Sequence, residues 1–279
     1  MTIQRGPFPE AESLRARLYG GEIFLAPPTP ARLALVDMAR TLLVRTLGDD
    51  PRGAHQRIGD EACFALVGAV RKELYTSPAA HDLLRAILIE VGFDAQRTAF
   101  DPPRLRIVHS GGHHEPRARG VYRPHRDTWY AHPAALLVGW IPLDDLGAHE
   151  TFELYPERFD SAVPNDSERF DYDTWSEAGL ERRLGWQKRE TGLIAHYPGF
   201  VGERDPSITG APLGFACERG SMLCFSGAHF HATKPQDTGK TRFSVDFRIV
   251  SLDDIDAGRG APLVDSRCTG SALRDYVHP

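Results

Sequence analysis

Cysteine is scarce in this chain, and its placement rules out two kinds of site. The 279 residues include four cysteines, and no two of them form a CxxC pair. A zinc ribbon and a thioredoxin-type redox site both depend on such pairs, so neither is expected here. Cysteines that are scattered singly are typical of a reducing compartment, and we therefore expect a cytoplasmic protein.

Long apolar runs and an excess of positive charge are also missing. The longest apolar run, from Ala134 to Leu143, is much shorter than the roughly 20 residues that a membrane-spanning helix needs. The first residues, MTIQRGPFPE, lack the apolar core of a signal peptide. Lysine and arginine number 33 against 38 acidic residues, a formal net charge of −5. We expect a soluble protein with neither a membrane nor a nucleic acid as its partner.

The predicted secondary structure changes from helices to strands near residue 100. In residues 1–100, Thr29 and Ser77 each precede a proline and an apolar stripe at helical spacing, and Ala62–Leu74 is a further helix candidate. After residue 100, short apolar runs separated by turn residues predict strands. The predicted strands are Leu105–His109, Val121–Asp127, Leu136–Ile141, Phe152–Tyr155, Leu193–Tyr197, Met222–Phe225 and Thr241–Val250.

These patterns predict a mainly β protein with flanking helices. Residues 1–100 form a helical N-terminal region that packs on an antiparallel sandwich or barrel made by residues 101–279, and together they form one structural unit. A polar, aromatic and strand-poor insertion at 157–188 interrupts the strands. Long insertions of this kind are often functional, and the stretch from Phe159 to Trp175 is a candidate lid.

A histidine and an aspartate two residues apart are the first candidates for chemistry. On the predicted strand that ends at Asp127, His125 and Asp127 would point to the same face and converge on one ion. Two histidines and one carboxylate are the ligand set of non-haem iron(II) oxygenases, and this set leaves coordination positions open. An HxD motif alone is weak evidence, because it occurs by chance in many proteins.

The segment from Gly220 to Arg248 contains a second histidine and residues that could bind a carboxylate. It contains His231 and, eleven residues later, Arg242 followed by Ser244, which gives the pattern H-x10-R-x-S. An arginine fork grips a carboxylate in bidentate fashion, and a serine hydroxyl adds a further hydrogen bond. A dicarboxylic cosubstrate that is bound to iron at one end needs such a grip at the other.

With these motifs, the chain resembles the 2-oxoglutarate-dependent iron(II) oxygenase superfamily, and in particular its phytanoyl-CoA-hydroxylase-like bacterial members. The resemblance covers roughly residues 100–250. It is carried by HRDTWY at 125–130, VGWIPL at 138–143, the H-x10-R-x-S segment and the similar stretch YPERFDSAVPNDSERFDYDTW at 155–175. It implies a double-stranded β-helix, which is a cupin-like jelly roll, with flanking helices.

The resemblance also implies which residues bind the cofactors. Iron(II) would be held by His125, Asp127 and His231, and O₂ would be the oxidant. The distal carboxylate of 2-oxoglutarate would be held by three further residues, Arg242, Ser244 and Thr233.

The resemblance limits the reaction more than the substrate. Halogenating members have a small residue at the position of Asp127, so its carboxylate favours hydroxylation or a related oxidation. The chain lacks the Glu-Asn-Gly turn and the Pro-Gly-Ser-His sequence of many members, so no particular substrate is implied. We expect a small molecule, such as an amino acid or a natural-product intermediate. Tentative contacts to it are Trp129, Tyr130, Arg104 and Arg248.

Three alternatives stay open at this point. His229 competes with His231 as the distal ligand, although the spacing to Arg242 favours His231. A cupin-type protein that binds a metal or a ligand without redox chemistry would share the barrel. An iron enzyme that works without 2-oxoglutarate would share the metal ligands.

Overall fold

The computed structural model describes residues 2–115, 122–177, 197–202 and 206–279. Nine strands lie in these ranges: β1 Ile3–Arg5, β2 Ile23–Ala26, β3 Thr98–Phe100, β4 Arg104–Val108, β5 Leu137–Pro142, β6 Phe152–Leu154, β7 Met222–Ser226, β8 His231–Thr233 and β9 Arg242–Ser251. The α-helices there are α1 Ala11–Tyr19, α2 Pro30–Leu47, α3 Ala54–Ile58, α4 Asp60–Thr76, α5 Pro78–Glu90, α6 Tyr172–Glu177, α7 Pro206–Thr209 and α8 Leu252–Asp256. None of the helices in the described ranges combines the length and the hydrophobicity that crossing a lipid bilayer requires.

Local signals place the longer helices where the sequence predicts them. The Thr29 side chain accepts a hydrogen bond from the backbone N–H of Arg32, and Ser77 does the same for Ala80. Each cap is followed by a proline in the first turn, whose fixed φ suits that position. The candidate at Ala62–Leu74 is confirmed within α4, whereas α1 and α3 were not predicted.

A seven-stranded sheet forms the centre of the molecule. Its order is β1-β2-β7-β5-β9-β3, and β4 also pairs with β9. All pairs are antiparallel except β1 with β2. The first hundred residues are therefore not purely helical, because they contribute β1, β2 and β3 to this sheet. Helices also contain more of the described residues than strands do, so the protein is mixed helix and sheet rather than mainly β.

The large sheet has two chemically different faces. Its outer face is apolar and packs on α2, α4 and α5, as shown by Phe247 and Ile249 of β9 in one buried cluster with residues of these helices. Its inner face packs on the small sheet formed by β6 and β8. Trp140 of β5 contacts Phe152 of β6 edge-on, with ring centroids 5.3 Å apart.

The structure corrects one predicted strand and leaves another outside the described residues. The strand prediction for Val121–Asp127 is wrong. His125 makes only an isolated bridge to His231, and Asp127 begins a 3-10 helix that runs to Tyr130. Pro124 explains this, because a proline has no N–H to donate to a ladder. The predicted strand Leu193–Tyr197 lies outside the described residues except for Tyr197.

The first part of the insertion, up to residue 177, is held by buried side chains. Phe159 and Phe170 are both buried, and Phe170 packs on Tyr130 with ring centroids 5.7 Å apart. The Asp265 carboxylate accepts hydrogen bonds from the backbone N–H of Val163 and from Trp129. The candidate lid from Phe159 to Trp175 is thus fastened to the body here, and residues 178–188 lie outside the described ranges.

Candidate metal centre

Two histidines from distant parts of the chain meet at the edge of the small sheet. The backbone N–H of His125 donates to the carbonyl of His231 at 2.9 Å, and the reverse bond is 3.0 Å long. Their ring centroids lie 4.4 Å apart. Both residues are partly exposed, and His231 packs on Phe225 of the large sheet, so the pair lies between the two sheets.

Each ring is oriented by a backbone carbonyl. His125 Nδ1 lies 3.0 Å from the Arg123 oxygen, and His231 Nδ1 lies 3.0 Å from the His229 oxygen. A carbonyl only accepts, so each Nδ1 carries the proton and each Nε2 has a free lone pair. No residue in the described ranges hydrogen-bonds to either Nε2. Metal-binding histidines are oriented in this way.

The electrostatic environment keeps both rings neutral. Burial, together with the neighbouring His231, lowers the pKa of His125 to about 3. Burial also lowers the pKa of His231, although the Asp127 carboxylate acts in the opposite direction. Because only a neutral imidazole donates its lone pair, both side chains are in the form that binds a metal ion at neutral pH.

Asp127 is the third predicted metal ligand, and its carboxylate is oriented by an arginine rather than by a backbone carbonyl. Arg248 Nη2 donates to Asp127 Oδ1 at 2.7 Å. Burial alone would raise the pKa of Asp127, but the Arg248 guanidinium holds it well below its usual value. The ligand atoms of Asp127 and the two histidines do not all lie within 4.8 Å of one another.

Arg248 is the centre of a buried charge network that sequence reasoning missed in part. Its Nη1 donates to Asp101 at 3.1 Å, and Asp101 also pairs with Arg104 at 2.9 Å. Arg248 therefore pairs with two acids, Asp127 and Asp101. Asp246 pairs instead with Arg106. The tentative substrate contacts Arg104 and Arg248 are therefore already paired, and their role toward a substrate stays a prediction.

Arg242 and Ser244 differ from Arg248, because each is buried and has a polar side-chain atom without a hydrogen-bond partner in the described residues. Arg242 Nε and Ser244 Oγ have no hydrogen-bond partner in the described parts of the chain. The guanidinium makes one long contact, 3.4 Å from Nη1 to the Glu150 backbone oxygen, and packs over Trp140. Burial lowers the pKa of Arg242 to about 10, so it is still charged at neutral pH.

Of the remaining predicted site residues, Thr233 and Tyr130 lie near the two histidines, whereas Trp129 lies in the core. Thr233 is partly exposed on β8 and shares the face of His231. Tyr130 lies edge-on to His125, with ring centroids 5.7 Å apart. Trp129 is fully buried and its indole N–H donates to Asp265, so its side chain belongs to the core and not to the space beside the histidines.

His229 is excluded as the distal ligand by its contacts. It is fully buried, its Nδ1 lies 3.1 Å from the Ser226 oxygen, and its Nε2 lies 3.0 Å from the Gly21 oxygen. Both ring nitrogens face carbonyls, so neither is free for a metal ion. The spacing argument that favoured His231 thus agrees with the contacts.

Two further residues beside this charge network were not expected from the sequence. The Tyr276 hydroxyl lies 3.0 Å from His132 Nδ1. Burial, together with Arg248, lowers the pKa of His132 to about 3. No sequence signal connects the end of the chain to the HxD segment, because this contact exists only through the fold.

Comparisons with known proteins find similar backbones but no similar sequence. No protein-family model matches the chain, and no curated protein matches it. EvdO2 from Micromonospora carbonacea var. aurantiaca, solved with 2-oxoglutarate, aligns over 64% of this chain and 62% of its own, with TM-score 0.39 and 15% identity. This chain therefore spans less than two thirds of the length of EvdO2.

Two other solved structures align over most of the chain. The epimerase SnoN, in complex with Fe³⁺, alpha ketoglutarate and nogalamycin RO, aligns over 92% of this chain and 98% of its own, with TM-score 0.42 and 14% identity. AviO1 from Streptomyces viridochromogenes Tue57 aligns over 89% and 98%, with TM-score 0.40 and 14% identity. Similarity of this degree says nothing about catalytic residues. Any function for this chain must therefore be inferred from the contacts described above.

Proposed function

We propose that this protein is a non-haem iron(II) and 2-oxoglutarate-dependent oxygenase. Its two facing sheets would form a double-stranded β-helix, with iron(II) held by His125, Asp127 and His231. The observation that supports this most strongly is the pair of oriented histidines, whose Nε2 atoms are free beside a buried carboxylate. This donor set fits iron(II), which is bound by two histidines and one carboxylate in such enzymes.

The unpartnered groups on β9 support the cosubstrate. A charged guanidinium that is buried without a carboxylate partner is unfavourable, and such groups are normally paired. Arg242 and Ser244 lie on the inner face of β9, facing the small sheet that carries His231. A dicarboxylate bound with its far end on Arg242, Ser244 and Thr233 would satisfy all three side chains, and 2-oxoglutarate has this chemistry.

When bound, iron(II) with 2-oxoglutarate and O₂ supplies the oxidising power for attack on an unactivated C–H bond. The protein's own residues orient the ligands and exclude water. The His229 and Arg123 carbonyls fix the two imidazoles, and Arg248 fixes the Asp127 carboxylate. The presence of Asp127 leaves no space for a halide, so we propose hydroxylation of a small molecule, such as an amino acid or natural-product intermediate.

Anaerobic titration of the protein with iron(II) and 2-oxoglutarate tests this function. We expect a weak visible metal-to-ligand absorption band, followed by succinate formation when O₂ and a substrate are admitted. The variants Asp127→Asn and His231→Gln should lose the band. Asp246→Asn is the matched control, because this acid also lies on the inner face but is paired with Arg106.

Each alternative function has its own outcome. A metal-binding protein without redox chemistry would give no band in the wild type. An iron enzyme that does not use 2-oxoglutarate would bind iron equally well in wild type and Arg242→Ala, and would show no response to the cosubstrate. Retention of the band in Asp127→Asn would contradict the ligand assignment.

A further inference from the structure

A second group of metal-binding side chains lies on two neighbouring loops. His113 and His114 follow β4, and Asp237 lies between β8 and β9. One potential ligand atom from each residue lies within 4.8 Å of the other two. Among the residues that the structure describes, this is the one group of three or more histidine, cysteine and acidic side chains that meets this criterion.

The distances within the cluster fit a shared ion after small adjustments. His113 Nε2 lies 3.9 Å from Asp237 Oδ2, and one ligand atom from each of the three residues lies within 4.8 Å of the other two. Two atoms that each bind one ion at about 2.1 Å lie at most about 4 Å from each other. His114 and Asp237 are exposed, so their side chains are free to make the remaining movement.

The backbone that carries the three side chains is fixed by hydrogen bonds between the loops. The Gly111 N–H donates to the Gln236 carbonyl at 2.9 Å, and the Gly239 N–H donates to Ser110 Oγ at 2.9 Å. Gly111 has a φ of +72°, a left-handed conformation that favours glycine, and it directs the chain into the turn that carries both histidines. The backbone positions of the three ligands are therefore fixed before any ion binds, which lowers the entropy lost on binding.

In the parts of the chain that the structure describes, no other side chain competes for the ligand atoms of the cluster. His113 Nδ1 is buried and has no hydrogen-bond partner in the described ranges. No lysine or arginine within those ranges pairs with Asp237, whose side chain is 69% exposed. A carboxylate beside two imidazoles, without another cation, is a donor set that suits zinc, nickel or copper.

Tyr122 packs edge-on against His113, with ring centroids 6.0 Å apart. Burial raises the pKa of Tyr122, Arg242 acts in the opposite direction and Asp237 adds to the rise.

We propose that His113, His114 and Asp237 form a second binding site for a divalent transition-metal ion. The site is separate from the His125, Asp127 and His231 centre, and its three protein ligands leave the other coordination positions to water. It does not depend on the proposed function, because its ligands and its loops are different.

Binding of Ni²⁺ to the full-length protein, measured by equilibrium dialysis and metal analysis, tests the second site. The double variant His114→Gln and Asp237→Asn should bind one ion fewer than wild type, or bind it with an affinity at least about tenfold weaker. Both side chains are exposed, so the circular dichroism spectrum should not change. His149→Gln is the matched control, since it removes an exposed histidine outside the cluster and should bind as wild type does.

A third variant separates this proposal from the proposed function. His231→Gln should lose the other ion and keep the one bound at the cluster. If His231→Gln binds as much Ni²⁺ as wild type, the active-site assignment fails while the second site stands. If the double variant binds as many ions as wild type with the same affinity, the second site is refuted.

Discussion

The two faces of strand β9 differ in chemistry although they belong to the same ten residues. On the outer face, Phe243, Val245, Phe247 and Ile249 are buried against the helices. On the inner face, the alternating residues are polar, namely Arg242, Ser244, Asp246 and Arg248. The strand is thus buried on both faces, but only one of them is apolar.

On the proposed function, this difference would separate stability from ligand binding within one strand. Apolar burial on the outer face contributes roughly 25 cal/mol per Å² to folding. Buried charges on the inner face contribute little net stability, and an unpaired one lowers it. Changes on the outer face should therefore affect only the free energy of unfolding, and changes on the inner face should also affect metal or cosubstrate binding.

The largest effect is expected for Phe247→Ala on the outer face. The ring fills the space above Gly139, where an added Cβ would lie 2.4 Å from a Phe247 ring carbon. Its removal should lower the free energy of unfolding by about 3–5 kcal/mol, as measured by urea denaturation. Ser244→Ala on the inner face is the control and should change it by less than about 1 kcal/mol. If the two variants lowered the free energy of unfolding equally, the proposed difference between the two faces of β9 would be wrong.

Arg248→Met should destabilise the protein by about 3 kcal/mol, because two buried carboxylates lose their shared cation. Arg106→Met is the control, since the Arg106 side chain is 44% exposed and its loss should cost under about 1 kcal/mol. Both are measured by denaturant unfolding of the metal-free protein. Iron(II) should restore part of the loss in Arg248→Met, because the ion replaces the positive charge beside Asp127. A stability equal to wild type would show that the network is not formed in solution.

Arg242→Leu should change binding and stability in opposite directions. Loss of a charge-assisted contact should weaken 2-oxoglutarate binding by about 1.5–3 kcal/mol, measured by calorimetry in the presence of iron(II). The free energy of unfolding of the metal-free protein should rise, because an unpaired buried guanidinium is removed. A fall in stability with unchanged 2-oxoglutarate affinity would place Arg242 in the core and not in the binding site.

The smallest expected effect per residue is the change in the free energy of unfolding with pH. Burial lowers the pKa of His125 and His132 to about 3 and that of His109 to about 4, below the value of about 6.5 in the unfolded chain. The unfolded state therefore binds more protons, and stability should fall as the pH falls from about 6.5 toward 4. The loss at pH 5 should be at most about 2 kcal/mol for each histidine.

Thermal unfolding between pH 7 and pH 4 measures this dependence. His109→Asn should make it shallower, because one of the contributing histidines is absent. His109 lies on the helical side of the sheet, where it contacts Phe64, so this variant also tests whether both faces contribute. A stability that does not change over this range would contradict the buried neutral state of these rings.

Much of the fold was predictable wherever the signal is local. The caps at Thr29 and Ser77 and the alternation along β9 need only a few neighbouring residues to be read. The short strand β2 was missed because its four residues, IFLA, are all buried and show no alternation, and they lie between two helices. The Val121–Asp127 strand was predicted wrongly because Pro124 has no N–H to donate to a ladder, and only an isolated bridge forms at His125.

The candidate site was predictable in its residue types but not in its pairing. The sequence pointed to His125, Asp127, His231 and Arg242, and their spacing favoured His231 over His229. It did not reveal that Arg248 is paired with Asp127 while Arg242 has no acidic partner among the described residues, although both are arginines on one face of one strand. Nor did it indicate that His113 and His114 lie beside Asp237.

The sequence by itself determined the helix starts at Thr29 and Ser77, the alternation along β9 and the candidate side chains for binding a metal ion and a carboxylate, because these depend on residues that are close along the chain. Only the tertiary structure decided which charges meet. Arg248 and Asp127 are separated by 121 positions in the sequence, and their 2.7 Å contact exists because β9 and the 3-10 helix at Asp127 pack together. Long-range pairing depends on how the whole chain closes, and short sequence patterns carry no record of it.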